Sequence, residues 1–350
     1  MNRLVLAVLA LLAGTPSAAQ EPERPGQQDS ISRALFAEGR LWLLSDAGLL
    51  YSVREGDDAA RAEDAGEPVL DICLDAGRFT ALTGRRGASG LWTLRRHGPG
   101  GWERLWPARA DEDLIGLNCD QGRLVVVSGQ RTSELMGDVV IETPLSAPIR
   151  EGRVATMVHG TRDHLFVGLD AGEWGGGLRR IERRTGRTVT IERNSTGELC
   201  DGPLNTACDP VNAIVDDPWQ PDCIVVAIGL VHMAPHGRLT RVCGARVERL
   251  YFRAYASGWG SNGRVGGDGE PFATVAFFGL IRSDDALLAI GIDGVHRVGR
   301  TSDGRVTPLP EFRAVGPFRV SFAIPGVALV LTSVNQRASL SGVVPLIVPR

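Results

Sequence analysis

The chain has 350 residues with 38 basic and 41 acidic side chains, a near balance that excludes a strongly basic nucleic-acid binder and gives an anionic membrane surface little to attract. Every basic residue is arginine, so lysine chemistry such as a Schiff base or a phosphate-loop lysine is excluded. With 44 glycines and 20 prolines the chain is punctuated by turns throughout, and no stretch shows sustained helical periodicity.

Residues 1–19 read as a signal peptide: Asn2 and Arg3 open it, Leu4 to Ala13 form an apolar run too short to span a bilayer, and Ser17-Ala18-Ala19 offers a cleavage site. Residues 20–31 are polar and rich in Pro, Glu and Gln, the composition of a disordered leader. No membrane span is expected once the signal is removed, and the location expected is the periplasm or the exterior. Export makes disulfides of the six cysteines plausible. Cys73 and Cys119 precede equivalent turns in consecutive repeats, Cys200 and Cys208 bracket a short loop, and Cys223 and Cys243 sit on two arms of one hairpin.

From residue 32 a single pattern recurs: a tight turn, an apolar strand, an Asp/Gly-type turn and a second strand. It starts at Gly39, Gly77, Gly122, Asp163, Asp222, Asp285 and Gly326. A recurrence at roughly forty to sixty residues is the mark of a repeat architecture, and four-stranded propeller blades fall in this range. The all-β class follows from the short apolar strands between turns. Seven repeats are expected: Ser32 to Gly66, Glu67 to Ala110, Asp111 to Gly152, Arg153 to Thr196, Pro210 to Ala254, Pro271 to Phe312, and Arg313 onward. They make residues 32–350 one β-propeller, counted as seven four-stranded blades with six or eight as the alternatives, and the last repeat looks short of an outer strand.

The chain resembles the seven-bladed β-propeller superfamily, especially the sensor-type repeats of exported bacterial proteins. LFVGLDAGEWGGGLRRI at Leu165 to Ile181 and PVNAIVDDPWQPDCIVVAIG at Pro210 to Gly229 carry the likeness. The Asp-box of sialidase-like propellers is reduced to SDAG at Ser45 to Gly48, and the tryptophan-docking repeat of quinone-dependent dehydrogenases is missing.

In an up-down-up-down blade, turns between strands one and two and between three and four share one face. These turns are mostly short. The long segments belong to the other set: Gln130 to Asp138, Asp170 to Gly177, Ser195 to Pro210, Gly229 to Gly237 and Tyr255 to Pro271. Insertions confined to one face of a repeat protein mark its binding face. There GEWGGG places the carboxylate of Glu173 beside the indole of Trp174, and a glycine-rich segment carries Trp259, Asn262 and Asp268. His232 and His236 are four apart and form the candidate metal pair, though they flank a Pro-Gly turn rather than a helix. No resident cofactor is expected beyond such an ion, and no catalytic residue is assigned. The reading is an exported, non-enzymatic propeller that binds a small molecule or an envelope protein. The alternative is a metal-assisted hydrolase or lyase at the mouth of a central channel.

Overall fold

Two-residue turns set the register of the strands. Glu38-Gly39 and Ala76-Gly77 have φ values of 55° and 70°, and of 48° and 78°. Two left-handed residues in succession make the type I′ turn that matches the twist of an antiparallel hairpin. Ala37 therefore faces Arg40, and Asp75 faces Arg78.

The computed structural model describes residues 31–85, 91–109, 113–120, 122–149, 155–193, 202–232, 234–255, 273–301, 304–308, 318–331 and 346–349. The expected signal peptide and leader lie outside the described residues, apart from Ile31 in the first strand. The first sheet is β1 (Ile31–Ala37), β2 (Arg40–Ser45), β3 (Leu50–Arg54) and β4 (Arg61–Glu63). The second is β5 (Val69–Asp75), β6 (Arg78–Thr83), β7 (Leu91–Gly98) and β8 (Gly101–Arg109). The third is β9 (Leu114–Asp120), β10 (Arg123–Ser128), β11 (Arg131–Met136) and β12 (Val139–Pro144). The fourth is β13 (Ala155–Gly160), β14 (His164–Asp170), β15 (Gly176–Glu182) and β16 (Thr188–Ile191). The fifth is β17 (Val211–Asp216), β18 (Ile224–His232), β19 (Ala234–Cys243) and β20 (Arg246–Tyr251). The sixth is β21 (Phe277–Ser283), β22 (Ala286–Gly291), β23 (Gly294–Val298) and β24 (Gly304–Pro308). Last come β25 (Arg319–Ser321), β26 (Val327–Leu331) and β27 (Leu346–Pro349). All pairs are antiparallel between sequence neighbours, so each sheet is a meander.

The expectation of seven four-stranded blades is corrected here to six, followed by a sheet of three strands among the described residues. The last repeat places only three residues in β25, and no described strand follows β27. A second correction concerns Gln130 to Asp138. This segment is strand β11 and the tight turn after it, not a loop.

The strands fall into two compact units. One contains the first, second and last sheets. There Trp42 stacks on Phe79 at 4.0 Å, the Arg40 guanidinium covers Trp42 at 5.1 Å, and Arg33 pairs with Asp71 at 2.9 Å. The other unit, within Glu112–Pro317, contains the four middle sheets. In both, second strands such as β2 and β10 are buried over five consecutive residues rather than at alternate ones. Such strands lie between neighbouring sheets and are covered on both faces. In the middle unit Ile224, Val226 and Ile228 of the fifth sheet pack with Phe166 and Leu178 of the fourth.

Cys223 and Cys243 are disulfide-bonded across the base of the β18–β19 hairpin, as expected. Cys73, Cys119 and Cys208 are also in disulfides, while Cys200 lies outside the described residues.

In the sixth sheet, fully buried His296 binds Asp293 through Nε2 at 2.7 Å and Tyr251 Oη through Nδ1 at 3.0 Å. With the carboxylate accepting at Nε2, the imidazole Nδ1 is the acceptor for the phenol O–H. Tyr251→Phe leaves that nitrogen buried and unpaired, so a loss of about 1–2 kcal/mol is expected in urea unfolding. A variant as stable as the parent would show that the bond contributes nothing.

Candidate functional site

Three segments of the middle unit meet at one end of the fourth and fifth sheets: the β14–β15 turn, the tip of the β18–β19 hairpin, and the connection entering β17. The turn is a single 3-10 element, Gly172–Trp174, closed by Ala171 N–H to Gly175 O at 2.9 Å and Gly172 N–H to Asp170 Oδ1 at 2.8 Å. Trp174 is 81% exposed, the most exposed of the large hydrophobic residues described.

The glycines behind it are explained by the protein's own backbone. Gly175 has φ 89°, and a Cβ there would lie 2.4 Å from Thr206 O. Gly176 N–H donates to Thr206 O at 2.9 Å and Gly177 N–H to Asp209 O at 2.8 Å. Only residues without side chains let the 205–209 segment approach so closely. The turn is therefore fastened to the connection beneath it.

That connection is built around Asp209, whose side chain is fully buried. Its Oδ2 accepts from the Arg238 guanidinium and from Asn205 N–H at 2.6 Å, and its Oδ1 accepts from His236 Nε2 at 3.0 Å. Arg238 Nε also donates to Pro203 O at 3.0 Å, and Thr240 Oγ1 donates to the same oxygen at 2.7 Å. Burial pushes the Asp209 carboxyl up, against the pull of Arg238. Burial, aided by Arg238, lowers His236 to about 4. His236 is thus a neutral imidazole at physiological pH.

His232 and His236 do lie on one face of the hairpin, because His232 faces Ala234 and Leu230 faces His236. They serve different carboxylates. His232 Nε2 meets Glu173 Oε2 at 3.0 Å, while His236 is held by Asp209. Among the described residues no group of three or more His, Cys, Asp or Glu could hold a metal ion. The expected loop from Gly229 to Gly237 is also corrected: both arms are strand, paired as far as His232 and Ala234. Asn212 spends its amide on Gly229 O and Phe277 O, both at 2.9 Å. His159 and His164 lie at the opposite end of the fourth sheet, with His159 bound to Asp216 at 2.9 Å. Trp259, Asn262 and Asp268 lie outside the described residues.

Sequence reasoning missed Asp209 and Arg238. The only local signal was an acid between Cys208 and Pro210 at the entry to a strand.

Comparison with solved structures decides the fold. The chain superposes on the β-propeller domain of Cps50 (Swd1) from Myceliophteria thermophila with a TM-score of 0.55 at 10% identity, covering 93% of this chain and 98% of that one. The fold is a β-propeller. YCF48 from Cyanidioschyzon merolae is similar at TM-score 0.54 and 10% identity, over 89% of this chain and 95% of that one. The extracellular domain of the putative one component system BT4673 from B. thetaiotaomicron is similar at TM-score 0.52 and 12% identity, over 88% of this chain. This propeller spans 38% of that longer chain. No known protein family and no curated protein matches the sequence. Among the described residues no helix is long and apolar enough to cross a membrane.

Proposed function

We propose that this propeller is an exported, non-enzymatic binding module whose contact surface is the end of the fourth and fifth sheets bearing Trp174, Glu173 and His232. One observation carries the reading: a large indole stands 81% exposed on a turn whose base is tied to a buried ion pair. The indole offers a stacking face and an N–H donor, and a rigid mount removes the ordering cost that a flexible loop would meet on binding. The disulfide of Cys223 with Cys243 and the extracellular placement stated for the B. thetaiotaomicron protein support an exported location. The partner is a small molecule or an envelope protein, and neither nucleic acid nor a membrane surface is proposed.

A thermal-shift panel of small molecules tests it, run in parallel on the parent protein and Trp174→Ala. Binding at a hundredfold excess over Kd stabilises by about 2.7 kcal/mol. The expected result is that ligands raise the melting temperature of the parent and not of the variant, with both melting alike when free. If every active compound stabilises the two proteins equally, the site is elsewhere.

A further inference from the structure

The ligand chemistry can be narrowed, on the footing that this end is the binding surface. We propose that the Trp174 turn binds an organic cation, an ammonium group seated on the indole face against the Glu173 carboxylate. Glu173 uses Oε2 for His232, and neither its Oε1 nor the indole N–H of Trp174 meets a partner among the described residues. An aromatic face carries negative quadrupolar charge and attracts a cation within about 6 Å of its centroid. A carboxylate on the adjoining residue supplies the complementary full charge.

The surroundings carry the same sign. Glu173 lies in the turn, and Glu192 accepts from Thr206 Oγ1 at 3.1 Å on the connection below. Arg238, held at the base, is matched by buried Asp209. The Arg193 guanidinium is directed to Val247 O at 3.2 Å. The carboxylates of Glu173 and Glu192 at this end favour a cation over a carboxylate or a phosphate.

The test uses choline and its uncharged isostere 3,3-dimethylbutan-1-ol on the whole protein. The readout is the indole ¹⁵N–¹H resonance of Trp174, identified by its loss in Trp174→Phe. Choline is expected to shift that resonance saturably, and the neutral isostere to leave it in place. Glu173→Gln is expected to weaken choline several-fold, as is raising salt from about 0.02 to 0.5 M. Equal shifts by both compounds, or none by either, overturn the cation assignment. A neutral compound from the thermal-shift panel that requires Trp174 would also overturn it, while leaving the binding reading intact. If nothing in either experiment depends on Trp174, both fall.

Discussion

Asp209→Ala is expected to destabilise the propeller by about 3–5 kcal/mol, because it leaves the Arg238 guanidinium buried without its counter-charge. The magnitude follows from how completely the pair is withdrawn from water. Asp209 is 0% and Arg238 9% exposed at the side chain, and the carboxylate also satisfies Asn205 N–H and the His236 ring. Removing the carboxylate therefore orphans three donors at once. Arg238→Met in the same background removes the stranded charge and is expected to restore part of the loss, since a buried pair replaced whole by apolar groups is often near neutral. Urea unfolding of both variants measures this. An Asp209→Ala protein within about 1 kcal/mol of the parent would mean that the ion pair has no structural weight.

Acidification is expected to destabilise the protein through His236. Its folded value of about 4 lies below the ordinary 6.5 because burial disfavours the imidazolium. Between those two pH values the unfolded chain takes up a proton that the folded chain refuses. Stability is therefore full above about pH 6.5 and falls as pH drops toward 4, by up to about 3 kcal/mol at 1.36 kcal/mol per pH unit. Asp209, raised on folding, contributes with the opposite sign toward acid. His236→Gln separates the two, since its amide still donates to Asp209 but does not titrate. The parent is expected to lose melting temperature more steeply than the variant across that window, and parallel curves would remove His236 as the cause.

The repeat was legible because it rests on local chemistry. Glycine after Glu38 and Ala76 announces type I′ turns, and the apolar runs between such turns place the strands. Cys223 and Cys243 could be paired because they flank the hairpin symmetrically, so their bond is a consequence of register. Strand β11 was misread for the opposite reason. Its RTSELM sequence lacks an apolar alternation, and Glu134 is buried there only because Arg183, 49 residues on, binds it at 2.5 Å. The same limit hid Asp209, whose role depends on Arg238 29 residues later. Glu173, Trp174 and the two histidines could be assigned to one end from sequence, since strand alternation alone decides which turns share an end. Their division between separate carboxylates depended on side-chain geometry that no spacing encodes.

The crosslink between Cys223 and Cys243 pins the root of the ribbon whose far tip carries His232. A two-stranded arm free at its root can slide by one residue and turn every side chain to the reverse side. Riveted there, this arm cannot creep, so the imidazoles keep their orientation toward Glu173 and Asp209.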